Sequence, residues 1–394
     1  MPKKKIKILR IINRFNIGGP TYNATFLTRF ISDDFETLLI GGAPEKDEKD
    51  SLYILDKYEV EPTIIKSLQR NPNLISDLRA YKEVKEIIKS YKPDIVHTHA
   101  SKAGAIGRKA AKACGVPVII HTFHGHIFHS YFGKIKTAIF KNIERKLAKK
   151  STKILAISPI QKTELTKEHA ICPAHKVEVI PLGFDLEQFQ TSNTLKRKET
   201  RKRFEIKDNE IAIAIIGRLA PIKNHQFFLK VVQQLLTQTK KEVKIFIVGD
   251  GEERQTIEKQ SEILNKRFGN RIVLTSWIKD IATFNAGMDI ICLTSDNEGT
   301  PVSLIEAQAT NIPVISTDVG GVRDIVKNNT TGFIVKKGDI ETYTEKLRLL
   351  VEDDKLRRSF SKAGYNHVKN QFHYTALVDK MEKLYKKTLT NVSI

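Results

Sequence analysis

Short apolar runs alternate with longer, charge-rich stretches along the whole chain. In the first half the runs occupy residues 6–12, 37–40, 95–98, 116–121, 154–157 and 177–180. Consecutive apolar positions are the mark of strands buried on both faces of a parallel sheet. Between them, residues 78–91 and 103–114 read as charged helices. A polar stretch at 191–202 has no apolar period and reads as a linker. The rhythm then restarts, with runs at 211–216, 243–248, 272–274, 290–293, 313–316 and 333–335. Residues 374–387 predict a final helix. Strand–helix alternation of this kind predicts an α/β protein of two Rossmann-like domains facing across a central cleft. The boundaries expected are 1–188 for the first domain, 189–373 for the second, and 374–394 for a helix packing back on the first.

A length of 394 residues with 40% hydrophobic positions supports two ordinary cores. Three scattered cysteines, Cys114, Cys172 and Cys292, give neither a disulfide framework nor a zinc spacing. No run approaches the roughly 20 apolar residues of a membrane span. The first strand is broken by Lys7, Arg10, Asn13 and Arg14, unlike the apolar core of a signal peptide. The expected location is therefore cytoplasmic. Charge changes the picture most. The formal net charge is +21, which favours anionic partners. Residues 95–163 hold thirteen Lys or Arg against one acid, Glu144, and so supply +12 of it.

Doubly wound sheets bind ligands beyond the carboxyl ends of their strands, so the loops there carry the candidate chemistry. After the run at 290–293 comes Ser295-Asp-Asn-Glu298-Gly299-Thr300-Pro301-Val302-Ser-Leu-Ile-Glu306. Thr300 suits a helix N-cap and Pro301 the first helical position. A helix start is a seat for an anion. Carboxylates beside it repel a bare phosphate but accept from hydroxyls. A nucleotide-sugar, with phosphates in the middle and hydroxyls at either end, meets both conditions. The spacing alone also reads as two acids complementing a helix dipole. The strand at 211–216 ends in Gly217-Arg218 and continues to Lys223-Asn224, two cations suited to a diphosphate. Equally, they are a solvated basic pair. Gly249 ends the next strand in a tight turn that lets a ligand approach the backbone. Trp277 and Ile278 follow the strand at 272–274, where they face a planar base or pack in the core.

In the first half, Gly18 and Gly19 form a turn after the first strand. Six of the eleven histidines lie between His97 and His129. Their alternation along strand-like segments, without acid or Cys partners, argues against a metal site. His124 is placed to contact a reacting sugar. Residues 134–150 carry seven basic residues and one acid, with Ile135, Ala138, Ile139, Ile143 and Leu147 on one stripe. The stripe predicts a basic amphipathic helix that lies on an anionic bilayer, with Lys134, Lys141, Lys146 and Lys149 toward the surface. A domain helix with one solvated face is the alternative.

Gly217-Arg218…Lys223-Asn224 followed by Glu298…Glu306, each after its strand, resembles glycosyltransferase family 4 over nearly the whole chain. These are retaining enzymes with the GT-B fold. Leu182, in Ile180-Pro-Leu-Gly183-Phe-Asp185, stands where the family usually has Asn. The resemblance implies that Gly18 and Gly19 pack against the donor diphosphate and that Arg218 and Lys223 neutralise it. It implies that Glu298 holds sugar hydroxyls, with the amides of Gly299, Thr300 and Val302 close by. Glu306 would bind the ribose and His124 the transferred sugar. The family needs no metal and no cofactor, and no protein nucleophile is required. His97-Thr-His-Ala-Ser101-Lys102-Ala-Gly104 and His121-Thr-Phe-His124-Gly-His126 resemble bacterial members that build surface polysaccharide on undecaprenyl diphosphate. The expected partners are a UDP-sugar, a polyprenyl diphosphate-linked glycan and the inner face of the cytoplasmic membrane, with no nucleic acid. Two alternatives stand beside this: a UDP-N-acetylglucosamine 2-epimerase-like enzyme and a basic nucleic-acid-binding protein.

Overall fold

A computed structural model describes residues 4–16, 19–43, 52–69, 73–124 and 134–392, with side chains of the last stretch described from Thr137 onward. The chain forms two compact units. The first comprises Met1–Phe184 and Phe372–Ile394, the second Asp185–Gln371.

The first unit is built on seven parallel strands: β1 (Ile6–Arg14), β2 (Phe35–Gly42), β3 (Thr63–Ile64), β4 (Ile95–His99), β5 (Val118–Phe123), β6 (Lys153–Ala156) and β7 (Val177–Val179). Their order is β3-β2-β1-β4-β5-β6-β7, so the winding reverses between β1 and β4. Ile8, Leu9, Ile11 and Ile12 of β1 are all buried, which is why this run is apolar on consecutive positions. The two-residue β3 is exposed and left no apolar signal in the sequence.

The helix at Leu74–Tyr91 starts four residues before its predicted position. Asn73 caps it, accepting from the amides of Ile75 and Ser76 at 3.0 Å each. The terminal helix Tyr374–Thr390 packs Leu377, Met381 and Leu384 with Ile8, Ile95 and Val118 of this sheet. A buried polar chain adds to that contact. Arg10 Nη1 donates to Tyr385 Oη at 3.0 Å, and Tyr385 Oη lies 2.6 Å from His97 Nδ1. His97 Nε2 reaches Thr122 Oγ1 at 2.7 Å. Arg10 is fully buried, so satisfying it matters more than the ordinary worth of each bond.

The second unit has six parallel strands: β8 (Ile211–Ile216), β9 (Val243–Val248), β10 (Ile272–Thr275), β11 (Ile290–Leu293), β12 (Val314–Thr317) and β13 (Gly332–Val335). Their order is β10-β9-β8-β11-β12-β13, with the reversal between β8 and β11. The polar stretch expected to be a linker is instead mostly a helix, Asn193–Arg203. Polar anchors replace the missing apolar stripe. Arg197 and Arg201 pair with Asp289 at 2.8 and 3.2 Å, and Thr200 Oγ1 donates to the Thr283 carbonyl at 2.6 Å.

Candidate functional site

The winding reversal of the second sheet sets the loops after β8 and β11 beside each other. Thr294 Oγ1 ties them, with the carbonyls of Lys223 and Asn224 each 3.1 Å away. Asp296 adds two links, its amide to the Ile222 carbonyl at 2.8 Å and its carboxylate to Asn224 Nδ2 at 3.2 Å. Asn224 itself has φ 50° and caps the helix His225–Gln238. Lys223 is thereby held over the second loop, and its Nζ lies 2.6 Å from Glu298 Oε1. The same oxygen accepts from Ser295 Oγ at 2.6 Å. Glu298 is thus gripped through one oxygen and orients the other.

Its backbone is gripped as well. Gly320 (φ 47°) and Gly321 lie under Glu298 and Gly299. A Cβ on Gly320 would stand 1.7 Å from the Glu298 carbonyl oxygen, and one on Gly321 2.0 Å from that of Gly299. The Gly321 amide donates to the Glu298 carbonyl at 3.1 Å. Around Gly299, by contrast, the space for a side chain is open.

The helix Val302–Ala309 follows. Pro301, not Thr300, is its cap residue, and Val302 is its first helical position. Pro301 has no N–H and no side chain caps this end, so the helix presents amide donors and positive potential beside Glu298. Leu304, Ile305, Ala307 and Gln308 are buried, and Glu306 lies half-buried on the remaining face. Burial raises the Glu306 carboxyl to about 7. A first-turn acid that merely complements a dipole sits in solvent, and this carboxyl does not.

Arg218 is 68% exposed and pairs with Glu252 at 3.0 Å. A Cβ on Gly217 would stand in ordinary contact with the Lys223 side chain, 3.7 Å away. Gly249, expected to admit a ligand, has φ 142° and packs instead on the neighbouring loop. A Cβ there would lie 1.9 Å from the Gly217 carbonyl oxygen. Its glycine is explained by loop-on-loop contact, which holds the β8 and β9 ends together. Trp277 is 47% exposed, which excludes core packing, and its ring edge lies near Gly249. Ile278 is half-buried beside it.

In the first unit Gly19 opens the helix Gly19–Arg29, where a Cβ would lie 3.7 Å from Leu182, while Gly18 lies outside the described residues. His124 directly follows β5, with its Nε2 2.8 Å from His99 Nδ1. His97 and His121 are interior groups, partnered by Thr122 and by Thr98 Oγ1 at 2.9 Å. His126 and His129 lie outside the described residues, as do Phe128, Tyr131 and Phe132. Among the described residues no three His, Cys, Asp or Glu side chains gather as a metal set.

The basic helix is Lys134–Lys150. The predicted single stripe divides. Leu147 and Ala148 face the core, whereas Ile139 and Ile143 are exposed among Lys146 and Lys149, with Lys141 half-buried. The side chain of Lys134 lies outside the described residues. Glu144, the one acid, is turned inward to Arg108, 2.7 Å away, and both are buried. No helix among the described residues is long and apolar enough to cross a membrane.

The chain is 34% identical over 328 residues to the UDP-Gal:α-D-GlcNAc-diphosphoundecaprenol α-1,3-galactosyltransferase of Escherichia coli, an alignment covering 83% of this chain and 84% of that one. It belongs to glycosyltransferase family 4. Residues 18–188 match the family described as Glycosyltransferase Family 4, and residues 196–367 match Glycosyl transferases group 1. The capsular polysaccharide biosynthesis glycosyltransferase CapM of Staphylococcus aureus is 28% identical, covering 84% of this chain and 86% of that protein. Among solved structures, a glycosyltransferase of Rickettsia africae superimposes with a TM-score of 0.81 at 22% identity, covering 98% of this chain and 99% of that one. HepE of Anabaena, solved with UDP, gives 0.80 at 18% identity, covering 97% and 100%. The fold is GT-B, and this family 4 enzyme is a hexosyltransferase. The family assignment displaces the 2-epimerase alternative.

Two features of the site escaped the sequence. Ser295 shares Glu298 Oε1 with Lys223, and the Gly320-Gly321 pair seats the Glu298 backbone. A Gly-Gly dipeptide three residues after β12 was the one available signal for the latter.

Proposed function

We propose that this glycosyltransferase moves a hexose or N-acetylhexosamine from a UDP-sugar, with retention, to a polyprenyl diphosphate-linked glycan. The observation that carries the donor reading is Glu298. It is held by Lys223 and Ser295 at the uncapped start of the helix that carries Glu306. An anion and a set of hydroxyls are both served there. Glu298 takes sugar hydroxyls on its outer oxygen, with the amides of Gly299, Thr300 and Val302 near sugar and phosphate. Glu306, ionised, accepts from the ribose hydroxyls. Lys223 and Arg218 turn toward the diphosphate, and Trp277 and Ile278 flank the base. His124, Gly18 and Gly19 serve the sugar and diphosphate from the first domain, which also takes the acceptor. No metal takes part.

In the reaction the bond from the anomeric carbon to the diphosphate oxygen breaks, and the acceptor oxygen bonds to that carbon from the same face. The acceptor's proton passes to the leaving diphosphate oxygen. Lys223 and Arg218 lower the barrier by stabilising charge that develops on that oxygen. The acceptor class is supported by the Escherichia coli relative, whose name specifies a diphosphoundecaprenol-linked substrate. The exposed Ile139 and Ile143 among lysines support docking of the Lys134–Lys150 helix, through Lys134, Lys141, Lys146 and Lys149, on the inner face of the cytoplasmic membrane. A thermal-shift screen of UDP- and GDP-sugars, followed by transfer to synthetic polyprenyl diphosphate glycans, tests the proposal. Stabilisation by UDP-sugars and an α-linked product from an α-linked donor are expected. Stabilisation by GDP-sugars alone, or an inverted product, overturns it.

A further inference from the structure

The donor reading uses His124 but leaves its buried neighbour without a task. His99 Nδ1 lies 2.8 Å from His124 Nε2, and the two rings are stacked with centroids 5.1 Å apart. Burial holds both imidazoles neutral, His99 well below the usual histidine range and His124 down to about 3. Two neutral rings in hydrogen-bond contact share one proton between them, so their tautomers are coupled. Whichever ring donates, the other keeps its remaining N–H on its far side. Neither far nitrogen, His99 Nε2 or His124 Nδ1, has a partner among the described residues.

The two arrangements are not equivalent. If His124 donated, the unpaired N–H would sit on His99 Nε2. That ring is fully buried, 4.2 Å from the His97 ring, and further opposed by the charge of Arg10. If His99 donates, a bare lone pair faces that electropositive interior. The N–H then lies on His124 Nδ1, directly after β5. Both far nitrogens are buried, so burial does not separate the two arrangements. The charge of Arg10 does: its guanidinium contacts the His97 ring that lies against His99, which favours a lone pair and disfavours an N–H on the His99 side.

We propose that His99 is a positioning residue. By donating through Nδ1–H to His124 Nε2, it fixes the plane and tautomer of that ring and presents His124 Nδ1–H to an oxygen of the donor sugar. This rests on the reading of His124 as a contact of the transferred sugar. The side chain at 99 therefore decides whether the sugar meets a donor or a lone pair.

The full chain labelled with 15N-histidine tests this, with the His124 signals assigned by their loss in His124→Asn. The wild type is expected to show His124 protonated at Nδ1. His99→Phe keeps the ring and removes the donor. It should mix the His124 tautomers and lower kcat/KM for UDP-galactose or UDP-N-acetylglucosamine hydrolysis about tenfold or more. His99→Asn places an amide N–H where the ring Nδ1 stood and should restore most of that loss. UDP affinity should not change in either variant. A His124 ring protonated at Nε2, or full activity in His99→Phe while His124→Asn is impaired, overturns the positioning role. Unchanged kinetics in His124→Asn would instead remove the reading of His124 on which it rests. If His99→Phe does not fold, the wild-type tautomer and the His99→Asn kinetics still decide.

Discussion

Replacing Glu306 by Gln separates what this carboxylate does for the fold from what it does for the ligand. A Glu side chain ordinarily titrates near 4.5, and burial lifts this one to about 7. Between those two values the folded state keeps a proton that the unfolded state gives up. Stability therefore falls as pH rises from about 4.5 to about 7 and levels off above that. A shift of this size corresponds to about 3 kcal/mol, at 1.36 kcal/mol per unit, as an upper limit for a group that is partly exposed. Gln carries no charge to desolvate. At pH 8.5 the variant should be more stable than wild type by up to that amount, and at pH 4.5 the two should be nearly equal. Losing a charged acceptor for the ribose hydroxyls should weaken UDP binding by about ten- to a hundredfold. Urea unfolding at pH 4.5, 6 and 8.5 measures the first effect and titration calorimetry with UDP the second. A stability difference that stays flat across this range refutes the desolvation argument. Undiminished UDP affinity refutes the ribose assignment. A residue that destabilises the protein and tightens the ligand is one retained for function.

Other perturbations follow from the same geometry. Lys223→Ala should lower turnover about a hundredfold through loss of charge stabilisation at the diphosphate, read as kcat in steady-state kinetics. Glu144→Ala should destabilise the protein by roughly 3–5 kcal/mol, because Arg108 is then left buried and uncompensated, measurable as a drop in unfolding free energy. The double variant Arg108→Met/Glu144→Leu should lose much less. Lys141→Glu, Lys146→Glu and Lys149→Glu together should abolish sedimentation with anionic liposomes, each basic residue contributing about 1 kcal/mol near such a surface.

Most strands were legible because a strand buried on both faces must be apolar at every position. The runs at β8, β9 and β11 coincide with their observed limits. Polar anchoring was not legible. The Asn193–Arg203 helix depends on Asp289, about ninety residues away, and nothing within 191–202 announces that partner. Arg10 read as a break in the apolar run of β1, yet it is fully buried, because its partner Tyr385 lies near the other end of the chain. The same limit shaped the site. Glu298 and Glu306 stood out by their spacing after a strand. The grip of Lys223 and Ser295 on Glu298, and the Gly320-Gly321 seat, come from loops that only the sheet brings together. The tilt of one apolar stripe also escaped: Leu147 faces inward while Ile139 and Ile143 do not.

The closing of Phe372–Ile394 onto the first unit has a consequence for how the molecule is made. The Phe184 amide donates to the Phe372 carbonyl, and Tyr374 returns the bond to the Phe184 carbonyl, at 2.8 and 3.0 Å. The second unit is therefore an insertion whose entry and exit strands run side by side. On the ribosome, every residue of that insertion emerges before Tyr385 does. Until then Arg10 has no phenol to bond and the cluster around Ile8 lacks Leu377 and Met381. Translation order thus favours the later-encoded unit as the first to finish folding, with the earlier-encoded one completed last. A released chain truncated after residue 372 should resist protease across 185–371 while its first unit is still cut.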